Sequence, residues 1–174
     1  MRALPSVDLG IMAEHLAAHE GVINKLQYYH SIASNQILKD ILSLQTEIML
    51  NHVEVMSSFI NPRINQELNV PPLDIYQDVS FNFDSNDYQY HDNWITLETH
   101  NTAKCMANQN YVSSLMMKDA RVKKAHEEMA LQQAHIQELY GRLISMMDWS
   151  YVPQSSIDSQ TKTYQFYNQV FQWQ

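Results

Sequence analysis

Leu9, Met12, Leu16, His19, Ile23, Leu26, His30 and Ala33 succeed one another in alternating steps of three and four residues. That spacing puts all eight on one narrow line of an α-helix, a seam that lies against a partner helix. Pro5 precedes the run and no further proline occurs until Pro62, so nothing interrupts a helical reading across the first third of the chain. Two seam positions are histidines, and what they do is the main chemical question.

A second helix shows two adjacent stripes: Ile37, Ile41, Leu44, Ile48, Asn51 and Val55, and Leu38, Leu42, Gln45, Met49, His52, Met56 and Phe59. So wide a face suits a helix with two neighbours. Between the first two helices, Ser31-Ile32-Ala33-Ser34-Asn35 has the chemistry of a tight turn, and Ser6 or Asp8 is the expected N-cap of the first. A third helix is predicted with the inward face Trp94, Glu98, Asn101, Cys105, Asn108, Val112 and Leu115. Asp119 caps a fourth, whose stripe is Val122, Ala125, Met129, Gln132, Ile136, Leu139, Leu143 and Met146. The resulting reading is one all-α domain over 1–174. It has helices at about 8–33, 36–60, 93–117 and 120–148, a crossover at 61–92 and an aromatic tail at 154–174. Only three glycines in 174 residues agree with high helix content.

The connections set the topology. Short turn, long connection, short turn means two antiparallel hairpins joined by a crossover. A helix of about 26 residues is roughly 40 Å long, and thirty extended residues reach at most roughly 100 Å. The second and third helices therefore lie parallel, as in a ferritin-like four-helix bundle. Within the crossover, Asp78–Asp84 alternates polar and apolar as a short strand does. The tail, with Tyr164, Phe166, Tyr167, Val170, Phe171 and Trp173, reads equally as strand or short helix, folded back over the bundle or offered to another chain.

Charge and composition exclude several functions. A net charge of −8 with scattered basic residues argues against nucleic acid and anionic membrane as partners. No apolar run spans a bilayer. No signal peptide is expected, and the single Cys105 excludes an internal disulfide framework and suits a reducing cytoplasm.

A ferritin-like bundle raises the question of a dinuclear carboxylate centre, which needs Glu-x-x-His on two helices. Glu14, Glu20, Glu47, Glu54, Glu67, Glu98, Glu127, Glu128 and Glu138 all lack a histidine three residues on. A smaller metal reading survives: in a hairpin turning near Ser34, His52 falls level with the segment between His15 and His19, and three imidazoles suit zinc or a similar ion. A His100–His135 pair is the counterpart in the second hairpin. The plainer reading is that these are core histidines bonded to neighbouring polar groups, with no metal and no cofactor. Cys105 reads as a small buried residue, and Asn101, Asn108, Gln109 and Gln132 as an interior polar layer. No nucleophile elbow or phosphate loop is present, so no catalytic residue is assigned and the chain is not read as an enzyme.

Ala103-Lys104, Asn108-Gln109-Asn110-Tyr111-Val112, the Lys118-Asp119 turn, His126-Glu127-Glu128-Met129-Ala130 and the closing Trp149-Ser150-Tyr151-Val152-Pro153 carry a resemblance. From about Leu9 to Pro153 the chain is similar to the spore coat protein F family of endospore-forming bacteria. That resemblance implies a ferritin-like helical fold and a structural, non-enzymatic role in the coat. It also implies synthesis in the mother-cell cytoplasm and assembly with other coat proteins or further copies of the chain. Tyr76, Tyr88, Tyr90, Tyr164 and Tyr167 are then candidates for oxidative cross-linking.

Overall fold

A computed structural model describes residues 3–64, 68–77 and 90–172. Among the described residues the chain is all-α: α1 (Ser6–Ile32), α2 (Gln36–Ile60), a single turn α3 (Asp74–Gln77), α4 (Tyr90–Met116), α5 (Ala120–Met146) and α6 (Ile157–Val170). Among the described residues no helix is long and apolar enough to cross a membrane. The alternating segment at 78–84 lies outside the described residues, as does Tyr88.

Two buried aspartates fix how the long helices are arranged. Asp92, near the start of α4, accepts from the backbone N–H of Ser34 at 2.8 Å and of Asn35 at 3.1 Å in the α1–α2 turn. Asp8, near the start of α1, accepts from Lys118 N at 2.8 Å and Asp119 N at 2.7 Å in the α4–α5 turn. Each hairpin thus plants the first turn of its leading helix against the other hairpin's bend. It follows that α2 and α4 start at the same end of the molecule and run parallel, while each hairpin is antiparallel within itself. The carboxylates satisfy backbone donors in the bends just ahead of α2 and α5, through charge-assisted bonds. Asp8 is therefore no N-cap for its own helix: Pro5 holds that position without a side-chain bond. Asn35 caps α2 through Leu38 N, and Asp119 caps α5 through Arg121 N.

The two aspartates are one sign of an internal repeat. Ser6–Ile32 and Tyr90–Met116 have equal length, and both starts (6, 90) and both ends (32, 116) differ by 84 residues. Asp8 and Asp92, and the caps Asn35 and Asp119, keep the same offset. The interior follows it too. Buried Met12, His15, His19 and Leu26 of α1 correspond to buried Thr96, Thr99, Ala103 and Asn110 of α4.

The core between the hairpins is built from Leu26, Leu38, Ile41, Leu42, Ile48, Met49, Ile95, Ile136, Tyr140 and Leu143. A second cluster lies toward the Asp8 end and contains Met12, Val55, Met56, Val122 and Met129. Of the predicted α1 seam, Met12, His19, Ile23, Leu26 and Ala33 are buried and Leu16 half-buried, but Leu9 and His30 are exposed, and Asp8 and His15 are buried beside it. The predicted α5 stripe is buried except for Met146, which is exposed. The predicted α4 face is rotated away from the real one. Trp94, Asn101, Cys105, Asn108, Val112 and Leu115 are exposed, and Thr96, Thr99, Thr102, Ala103, Met106, Asn110 and Ser113 point inward. Thr96 and Thr99 donate their hydroxyls to the carbonyls four residues back, at 2.6 and 2.7 Å, so they enter the core with their polarity already satisfied.

The tail is helical. Among its described residues, Ile157–Val170 carries no buried side chain, so it does not fold back over the hairpins.

Candidate functional site

Helix spacing places His15 and His19 one turn apart on the buried side of α1, and hairpin pairing sets His52 of α2 opposite them. The structure brings these three together. The ring centroids of His15 and His19 are 6.4 Å apart and those of His19 and His52 are 5.6 Å apart. A fourth imidazole, His126 of α5, joins them with its centroid 5.2 Å from that of His15. Sequence reasoning passed over His126 because it lies beside the Ala125–Met129 line rather than on it. Its signal is the buried Leu42, 84 residues earlier, at the matching position of α2.

All four rings are almost wholly removed from solvent, and each is held by a specific bond. His19 Nδ1 donates to the His15 carbonyl oxygen at 2.7 Å. His126 Nδ1 donates to the Val122 carbonyl oxygen at 2.9 Å. His52 Nε2 stands 2.7 Å from Gln132 Oε1, and Gln132 Nε2 in turn donates to the Pro71 carbonyl oxygen at 2.6 Å. His15 Nε2 lies 3.0 Å from Ser113 Oγ. His19 Nε2 and His52 Nδ1 face each other at 3.4 Å. His15 Nδ1 and His126 Nε2 have no hydrogen-bond partner.

Burial holds all four in the neutral form at neutral pH. Desolvation lowers His52 to about 3, with the neighbouring His19 and His126 adding repulsion against the bond to Gln132. It lowers His19 and His126 each to about 4, against the opposing effect of their bonds to backbone carbonyls. His15 is lowered for the same reason, opposed by Glu14 and Asn110. Neutral imidazole is the form that accepts a proton or binds a cation.

A chain of amide and hydroxyl groups continues the polar interior. Tyr140 Oη donates to Gln45 Oε1 at 3.0 Å, Gln45 Nε2 to Gln133 Oε1 at 3.1 Å, and Gln133 Nε2 to Met49 Sδ at 3.3 Å. Burial keeps the Tyr140 phenol far above its usual titration range. The interior polar layer is thus Gln45, Gln132 and Gln133, not the predicted set: Asn101 and Asn108 are exposed, and only Gln132 of that set lies inside with these two.

Other expectations fail on geometry. His100 bonds to Gln137 and His135 donates to the Tyr76 carbonyl oxygen, so these two histidines do not pair with each other. Cys105 is exposed, because the true inward face of α4 passes it by. Glu98, expected to face inward, meets Lys25 at 2.9 Å on the half-exposed rim between α1 and α4. Among the described residues no three His, Cys, Asp or Glu side chains are grouped so as to hold a metal ion jointly, so His15, His19 and His52 do not form a three-ligand centre as they stand. Comparison with known proteins returns no match to a family model, to a curated protein or to a solved structure.

Proposed function

We propose that the chain is a ferritin-like helical block that serves as a structural component of the spore coat, working by assembly with other proteins. The observation that carries this reading is α6. A fourteen-residue helix is marginal alone in water, and this one, with its C-cap Phe171, leaves Tyr164 68%, Phe166 60% and Phe171 61% exposed. Aromatic surface of that kind is what fills the centre of a protein interface. Near its C-terminal end α4 adds Tyr111, Val112, Leu115 and Met116, all exposed and neighbours on the helix surface.

Two further points support the reading. Parallel α2 and α4 with one long connection are the topology of ferritin-like proteins, and the residues from Leu9 to Pro153 resemble the coat protein family. Tyr164 and Tyr167 are exposed and suit a cross-linking role, whereas Tyr76 is buried and does not. A fluorescent fusion in sporulating cells tests the proposal. The full chain should ring the forespore, and a version ending at Pro153 should stay diffuse in the mother cell. A full-length fusion that never leaves the mother-cell cytoplasm would sink it.

A further inference from the structure

The hydrogen bonds of the buried histidines leave two nitrogens facing each other with no proton to share. A carbonyl oxygen only accepts, so the proton of a neutral His19 is on Nδ1, 2.7 Å from the His15 carbonyl, and Nε2 is a lone pair. Gln132 must present its NH2 to the Pro71 carbonyl at 2.6 Å, because the reverse placement would press two carbonyl oxygens together. Its oxygen is therefore the atom 2.7 Å from His52, which puts the proton of a neutral His52 on Nε2 and a lone pair on Nδ1. These two lone pairs are the atoms 3.4 Å apart. Two imidazoles with their outer N–H groups tied to carbonyl and amide oxygens, and their inner nitrogens converging, have the arrangement of metal-ligating histidines.

We propose that His19 Nε2 and His52 Nδ1 bind one copper(I) ion. The surroundings select the cation. Asp8 and Asp92 are fully buried, but their carboxylates are bonded to backbone amides at opposite ends of the molecule, so neither is placed to ligate an ion between the histidines. A dication would keep both charges uncompensated in a dry interior. Copper(I) carries one charge, is soft, takes imidazole and thioether donors, and needs only two or three of them. With metal–nitrogen bonds of about 2.0 Å, nitrogens at this separation subtend roughly 115° at the ion, which leaves a third position open. Met56, fully buried one turn beyond His52 on α2, carries the thioether proposed to fill it; Met49, one turn before, already accepts from Gln133. A site of two nitrogens and a thioether is consistent with the lack of any three-membered His, Cys, Asp or Glu group among the described residues.

Binding is tested under anaerobic conditions with tag-free protein and copper(I) buffered by bicinchoninate. A Cys105→Ser background is used, since the exposed thiol would itself take the ion. That protein should draw one equivalent from the chelator. His19→Leu and His52→Leu should each weaken uptake by more than about a hundredfold, while His30→Gln, on the exposed side of α1, should match it. If His52→Leu does not fold by circular dichroism, His52→Gln takes its place. X-ray absorption of the one-to-one complex should show two nitrogen scatterers and one sulfur. Copper(I) left with the chelator, uptake unchanged in both histidine variants, or zinc bound in its stead would overturn the proposal.

Discussion

Acid should unfold this protein well above the range where carboxylates titrate, because its interior refuses protons that the unfolded chain accepts. An unfolded histidine titrates near 6.5. In the folded protein His19 and His126 are lowered to about 4 and His52 to about 3, by burial first. Above pH 6.5 neither state binds these protons and stability is complete. As pH falls through that value the unfolded state gains protons and the native state does not, so stability is lost progressively until the folded values are reached. Between pH 7.5 and pH 5 each of the three groups removes about 2 kcal/mol, about 6 kcal/mol together. That is comparable to the whole stability of many single domains, about 5–15 kcal/mol. Urea unfolding followed by circular dichroism, in chelator so that the protein is metal-free, should show the midpoint falling steeply from pH 7.5 to pH 5. His126→Leu removes one such group without touching the His19–His52 contact, and should recover about a third of the loss. His30→Gln should recover none. A wild-type midpoint unchanged over this interval would refute the account of the buried rings.

The buried aspartates should behave as two independent clamps. Asp8→Ala and Asp92→Ala each strip a charged acceptor from two backbone amides and should cost about 3 kcal/mol. Lying at opposite ends, they should add in the double variant, as measured by denaturant unfolding. Ending the chain at Pro153 should leave the urea midpoint within error, since α6 buries nothing, yet reduce self-association in sedimentation velocity. Peroxidase with hydrogen peroxide should generate dityrosine at Tyr164 and Tyr167 and none at Tyr140, read by peptide mass spectrometry; cross-links at Tyr140 would contradict its burial.

The α2 and α5 faces were legible because aliphatic residues mark them: Ile37, Ile41, Ile48, Val122, Ile136 and Leu139 are all inside. The α4 face was not. Its inward residues are largely threonine, serine, alanine and asparagine, while Leu97, Val112 and Leu115 face out, so apolar periodicity selects the wrong side. Hydroxyls that bond back to their own helix hide their polarity from the core, and no hydropathy pattern records that. The His15–His19–His52 neighbourhood followed from turn position and helical spacing. His126 did not, because hairpin register relates α1 to α2 and α4 to α5 but says nothing of how the hairpins face each other. The bonds from Asp8 and Asp92 supply that missing relation, and neither is a sequence motif.

Hairpins whose first helices, caps and second-helix starts coincide under one shift resemble two copies of a hairpin leashed together. Were the halves identical, each interior residue would be obliged to occur twice, and every imidazole would bring a second. The leash removes that obligation: moved by 84 places, His15, His19 and His52 fall on Thr99, Ala103 and Ile136, and His126 falls on Leu42. Three of the four buried rings thus come from one hairpin and one from the other, where two copies of the first hairpin would have to accommodate six.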